Sequence, residues 1–240
     1  MNKRQALFLN FDIEAQPDEV TCGPTCLHAM YQYYNDPISL QQVVKEVKQL
    51  KNGGTLAVMM GNHALRRGYK ASIYTYNLNV FDPTWFKLPS SKIVEHLKRQ
   101  MRHKAKRRKL IVASRAYIKF IEAGGRMLYH ELDDTLIKGY LQKKIPVLTG
   151  LSATYLYGTP REISATNKYD SIKGDPVGHF AIINGYDDAT KKVYLADPMN
   201  PNPLKSQYYS VGFDRLINSI LLGIVTYDAN MLVIEPKQEK

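Results

Sequence analysis

The chain has 240 residues, 44% of them hydrophobic and 23% charged, which is ordinary globular usage and excludes a disordered or fibrous class. Its formal net charge of +11 favours anionic partners in general and names none until its distribution is known. Only two cysteines occur, Cys22 and Cys26, so the multi-bridge framework of a small secreted scaffold is excluded and a reducing, cytoplasmic compartment is expected. The basic opening MNKRQ is followed by too few apolar residues before Asp12 for a secretory core. The longest apolar run, 217–225, is broken by Asn218, Ser219 and Gly223 and is too short to span a membrane.

In chain order, 6–13 reads as a short strand, and Thr21 is a candidate N-cap for a helix over 22–34. Pro24 then falls in the first turn, where its missing N–H has no intrahelical partner. Cys26, Leu27, Met30 and Tyr34 follow at helical spacing as the buried stripe. Further helices are predicted at 40–50 and at 57–67, the latter ending at Gly68, and a strand at 70–76. The stretch 91–123 is helix-prone and basic, broken at Gly124–Gly125; 133–142 adds a helix before a strand at 146–151. Thereafter 178–184, 192–197 and 224–234 read as antiparallel strands. A helical lobe followed by a sheet lobe is an α+β plan. No repeat and no low-complexity linker divides the chain, so 1–240 is read as a single domain with a basic helical insert at about 86–123.

Within that insert, 98–109 holds eight lysines and arginines. Such a run is usually the solvated face of a helix, and its functional reading is a surface for an acidic partner. No aromatic residue interrupts it, so no specific nucleic-acid signal is present.

The reactive form of a cysteine is the thiolate. Cys22 opens a predicted helix, where unpaired N–H groups and the macrodipole stabilise an anion, and Gly23 leaves its approach open. Cys26, one turn deeper on the apolar stripe, is assigned to the core. Gln16, six residues before Cys22, can bring its amide to the carbonyl that Cys22 would attack. The stretch 178–198 reads as a β-hairpin with its turn in 187–192. A turn centred on residue 188 sets His179 directly opposite Asp197, within reach of an imidazole–carboxylate bond. His28 lies inside the first helix and points away from its start. His63, His96, His103 and His130 have no Cys, Asp or Glu at ligand spacing, so neither a metal nor another cofactor is expected.

The pattern Gln-x5-Cys-Gly-Pro-x-Cys-Leu opening a helix that ends in YQYYND, followed by GHFAII, GYD and ADP, resembles the bacteriocin-processing peptidases, papain-like cysteine enzymes that cleave leader peptides after a double glycine. LTGLSATYLYGTPRE, GDPVGHF, LADPMNPNP and LLGIVTYDANMLVI are more similar to a stand-alone bacterial branch than to the exporter-linked domains. The resemblance implies a papain-like fold, an N-terminal helical lobe carrying the cysteine and a C-terminal antiparallel sheet carrying histidine and aspartate. It implies Cys22 as nucleophile, His179 as acid/base, Asp197 as the orienting acid and Gln16 as the oxyanion residue, with a peptide or protein as substrate. Hydrolysis of a peptide or amide bond through a Cys22 thioester is the expected activity. Transfer of the same acyl group to an amine or thiol, and a non-catalytic binding module built on 98–109, are the alternatives. The polar segment 152–177, with Gly158, Pro160, Gly174 and Pro176, leads into His179 and is expected to be a loop bordering the cleft. Tyr155, Tyr157, Arg161 and Gly178 are its candidate substrate contacts.

Overall fold

The computed structural model describes residues 6–51 and 53–237; the basic opening of the chain, residues 1–5, lies outside them. The strands are β1 (Ala6–Phe8), β2 (Lys70–Thr75), β3 (Arg126–Leu128), β4 (Val147–Ser152), β5 (Glu162–Ile163), β6 (Lys168–Tyr169), β7 (Gly178–Asp187), β8 (Lys192–Ala196), β9 (Tyr208–Gly212) and β10 (Asn230–Glu235). The helices are α1 (Cys22–Tyr33), α2 (Leu40–Glu46), α3 (Ala57–Arg66), α4 (Ser90–His103), α5 (Arg108–Glu122), α6 (Asp134–Gln142), α7 (Ala153–Tyr157) and α8 (Phe213–Leu222). The main sheet runs β3-β2-β10-β4-β7-β8-β9, with β1 added beside β7. Among the described residues no helix is long and apolar enough to cross a membrane.

Side-chain alternation along the sheet builds two cores. Leu148, Phe180, Ile182, Leu232 and Ile234 face one core, which they share with α1, α3 and α5. Val147, Leu151, Ala181, Ile183 and Val233 face the other, shared with α6 and α8. Helix α1 is buried from Gly23 to Tyr31, on every side and not on one stripe, because it lies between the sheet and the α2–α3 layer. The segment around 86–123 is built into the first core, with Leu97, Leu110, Tyr117 and Phe120 fully or nearly buried.

Several expectations are corrected. The first strand closes at Phe8, and 224–234 is not one strand: Gly223–Thr226 is a 3-10 turn, Tyr227 is left-handed at φ 73°, and β10 begins only at Asn230. Apolar residues there serve a corner as readily as a strand. Thr21 precedes α1 without capping it; its hydroxyl donates to the carbonyl of Asp18. The segment 152–177 contains α7 and the β5–β6 ribbon, and its length is not an open loop.

Candidate active site

Cys22 is the first residue of α1, and the helix's first bond runs from the Thr25 N–H to the Thr21 carbonyl at 3.0 Å. The amides of Cys22 and Gly23 therefore face outward from a positive helix end. Gly23 does not open the approach to the thiol. A Cβ on it would lie 2.6 Å from Cγ2 of Thr55 and 3.0 Å from Sδ of Met60, so its role is to let α1 sit against α3. Cys26 is fully buried and its thiol donates to the Phe180 carbonyl at 3.4 Å. Burial, then the charges on Cys22 and Asp197, push its thiol well above the ordinary range.

His179 is the second residue of β7 and is buried. Its Nε2 lies 2.8 Å from Oδ1 of Asp197, and Cys22 is near enough on the other side to influence the ring's charge. Burial disfavours the charged ring, but the charges of Asp197 and Cys22 and the bonds to both outweigh it and raise the imidazole to about 10. Asp197 is fully buried and fully bonded. Oδ1 also accepts the Met199 N–H at 2.9 Å, and Oδ2 accepts the hydroxyls of Tyr157 at 2.7 Å and Tyr209 at 2.6 Å. Burial opposes its charge, yet His179 and the two tyrosines hold the carboxyl below the usual range.

The geometry that joins His179 to Asp197 is not the expected one. Asp187 pairs with Lys192, whereas a turn centred on 188 would pair it with 189; beyond the bend Ile182 pairs with Ala196. Asp197 thus continues opposite position 181 and lies diagonal to His179, within reach of the ring. The same face is secured by a register shift between Ile183 and Gly185, which leaves Asn184 as an extra residue. Carried on unshifted, the pairing near the turn would put Asp197 opposite Ile182, whose side chain faces the other core. Asn184 is locked there by exchange with Leu9: the Leu9 N–H donates to the Asn184 carbonyl at 2.8 Å and Asn184 Nδ2 donates back at 3.3 Å.

Gln16 is tied to the same corner, its N–H donating to the carbonyl of Pro198 at 2.8 Å. Its Nε2 donates one hydrogen to the Asp18 carbonyl at 2.8 Å, and its Oε1 is buried without a partner. Of the expected substrate contacts, Tyr157 turns its hydroxyl inward to Asp197. Tyr155 is exposed under the Arg215 guanidinium, 5.6 Å from its ring centre, and Arg161 binds the Ser171 carbonyl in its own segment. Gly178 abuts Asp228 so closely that a Cβ would sit 2.0 Å from Oδ2. Tyr209 and the Met199 amide are site groups that the sequence reading missed. The signal for Tyr209 is its pairing opposite Leu195 on the neighbouring strand, a register no single strand reveals.

A cysteine at a helix start, an imidazole bonded to a buried carboxylate and the side-chain amide of Gln16 are residue types that thiol acyl transfer chemistry uses. The Peptidase C39 family model matches residues 10–111, and the Peptidase_C39 like family model matches residues 110–216. A crystal structure of a C39-like peptidase from Bacillus anthracis is similar over 98% of this chain and 100% of that one, at 13% identity and a TM-score of 0.53. A double glycine motif protease from an AMS/PCAT transporter, solved with its leader peptide, aligns over the same shares at 13% identity and a TM-score of 0.46. No curated protein sequence matches the chain. The two family models meet near the middle of the chain, each matching less than half of it, and together with the fold shared with the C39-like peptidase they make residues 10–216 similar to the C39 peptidases.

Proposed function

We propose that the chain cleaves a peptide bond through a thioester on Cys22. Sγ attacks the carbonyl carbon, and the oxyanion meets the Cys22 N–H and the second hydrogen of Gln16 Nε2. His179 passes its Nδ1 proton to the leaving amine, the C–N bond breaks, and the acyl group stays on sulfur. Water then adds to the thioester and returns a proton to His179, and the acid departs as Sγ leaves. Asp197 keeps Nε2 protonated and the ring in plane throughout.

The observation that carries this reading is the buried His179–Asp197 pair set beside Cys22, with Asp197 itself fixed by Tyr157, Tyr209 and Met199. Burial first, and then Asp197, hold both tyrosine hydroxyls protonated far above their ordinary range, so they remain donors. The test is to incubate the protein with a peptide mixture, quench in acid and weigh it intact. Adducts that map to Cys22 and are released by hydroxylamine are expected, along with product peptides bearing new free carboxylates. Unchanged product formation by Cys22→Ala would discard the reading.

A further inference from the structure

The protein has an electropositive corner that the chemistry above leaves unused. Residues 98–109 form the end of α4, the corner after it and the first residues of α5, and 102–109 are all exposed. The run holds eight cationic side chains and no carboxylate. Among the described residues only Lys98 of these meets an acid within ion-pair distance, Glu122 at 3.2 Å. The start of α5 carries no side-chain cap, so its free amides add to the positive potential.

This corner packs on the turn that lies behind the histidine. Lys109 Nζ donates to the Thr226 carbonyl at 3.0 Å and lies 4.8 Å from the centre of the Tyr227 ring. The next residue, Asp228, fills the space beside Gly178, which precedes His179. The basic corner, the 226–228 turn and the histidine are therefore joined by a run of direct neighbours, of which Asp228 and His179 are buried.

We infer that the α4–α5 corner is an exosite for an acidic stretch of the peptide substrate, an inference that rests on the peptide-cleaving reading of Cys22. Seven cations crowded without counter-charges repel one another, and a carboxylate-rich segment laid across them relieves that repulsion. The same potential draws such a segment toward the cleft before contact. A peptide anchored there reaches the thiol as an intramolecular partner.

The probe is an amine-blocked peptide library from a digested proteome, cleaved by the full chain and read by mass spectrometry. Acidic residues are expected to be enriched at a fixed distance to one side of the cut, and about 0.5 M salt should erase the enrichment. In the triple variant Arg102→Glu/Lys106→Glu/Arg107→Glu the ratio of acidic to neutral peptides cleaved should fall roughly ten-fold. The corresponding triple glutamine variant should fall between it and the parent, and native-like labelling of Cys22 by iodoacetamide checks that each variant is folded. Cleavage without acidic enrichment, or a ratio the variants do not change, overturns the exosite and leaves the peptidase reading standing. Salt-sensitive binding of a single-stranded RNA oligomer by this corner, with the cleavage profile indifferent to the variants, overturns it in favour of nucleic acid. Cleavage of no peptide by the parent chain removes the peptidase reading and this inference with it.

Discussion

Asp197 accepts four hydrogen bonds on two oxygens, and only one of them comes from the histidine it orients. Asp197→Asn keeps an acceptor for Nε2 while offering an NH2 to hydroxyls that must turn to accept it, so peptide cleavage should drop by about ten-fold. Asp197→Ala leaves the ring and both tyrosines without a partner and should cost on the order of a hundred-fold or more. Steady-state rates on one peptide decide this; equal and small losses for both would take Asp197 out of the site. A second buried acid behaves oppositely. Burial pushes the Asp228 carboxyl up to about 7, against the Thr226 hydroxyl and the charges of Lys109 and His179; Tyr117 also faces it from α5. Its folded value lies above the unfolded one, so the folded state holds the extra proton between the ordinary carboxylate range and about 7. Stability from this group is therefore present at low pH and lost as pH rises through that window, by about 1.4 kcal/mol per unit of displacement. Asp228→Asn should leave the melting temperature near the parent's at about pH 4 and raise it increasingly up to about pH 8. A difference that stays flat with pH would show that Asp228 titrates normally. Cys22 and His179 were legible because each stands at the start of an element whose pattern is strong. Asp228 was not, because its burial comes from Gly178 and α5, far away in sequence.

At the scale of elements, pattern revealed type and failed at partners. The hairpin of β7 and β8 was legible from its alternation, but its register was not, because the extra residue at Asn184 is set by the Leu9 backbone some 175 positions away. The contact between His179 and Asp197 survived that error because the bulge restores the face. The basic segment is expected as an insert, and α5 within it packs into the main core. The Phe120 ring lies against both Gly61 and Gly125, where a Cβ would approach it to 2.7 and 2.5 Å. Phe120→Ala should therefore cost about 3–5 kcal/mol in denaturant unfolding, as a buried aromatic does. A loss under about 1 kcal/mol would mean that the segment is carried by the fold without supporting it.

For the molecule as a whole, a helical lobe followed by a sheet lobe was the right class and too simple a plan. Strand β2, from the first third of the chain, pairs along its full length with β10 at the end, Lys70 with Glu235 through Thr75 with Asn230. The sheet is thereby closed by residues from both lobes, and α1 is held between the sheet and α3 with its N-terminus at the cleft. That placement separates the two cysteines, one at the helix start beside His179 and the other sealed against the Phe180 carbonyl. Iodoacetamide at about pH 6 reads the difference without knowledge of the substrate, since an ordinary thiol is then under about 1% thiolate. Native protein should be labelled at Cys22 and spared at Cys26, as placed by fragment-ion mass spectrometry, and His179→Ala should slow the reaction by removing the imidazolium partner. Labelling of Cys26 as fast as Cys22, or a rate at Cys22 that ignores the loss of His179, would contradict the cysteine–histidine pair.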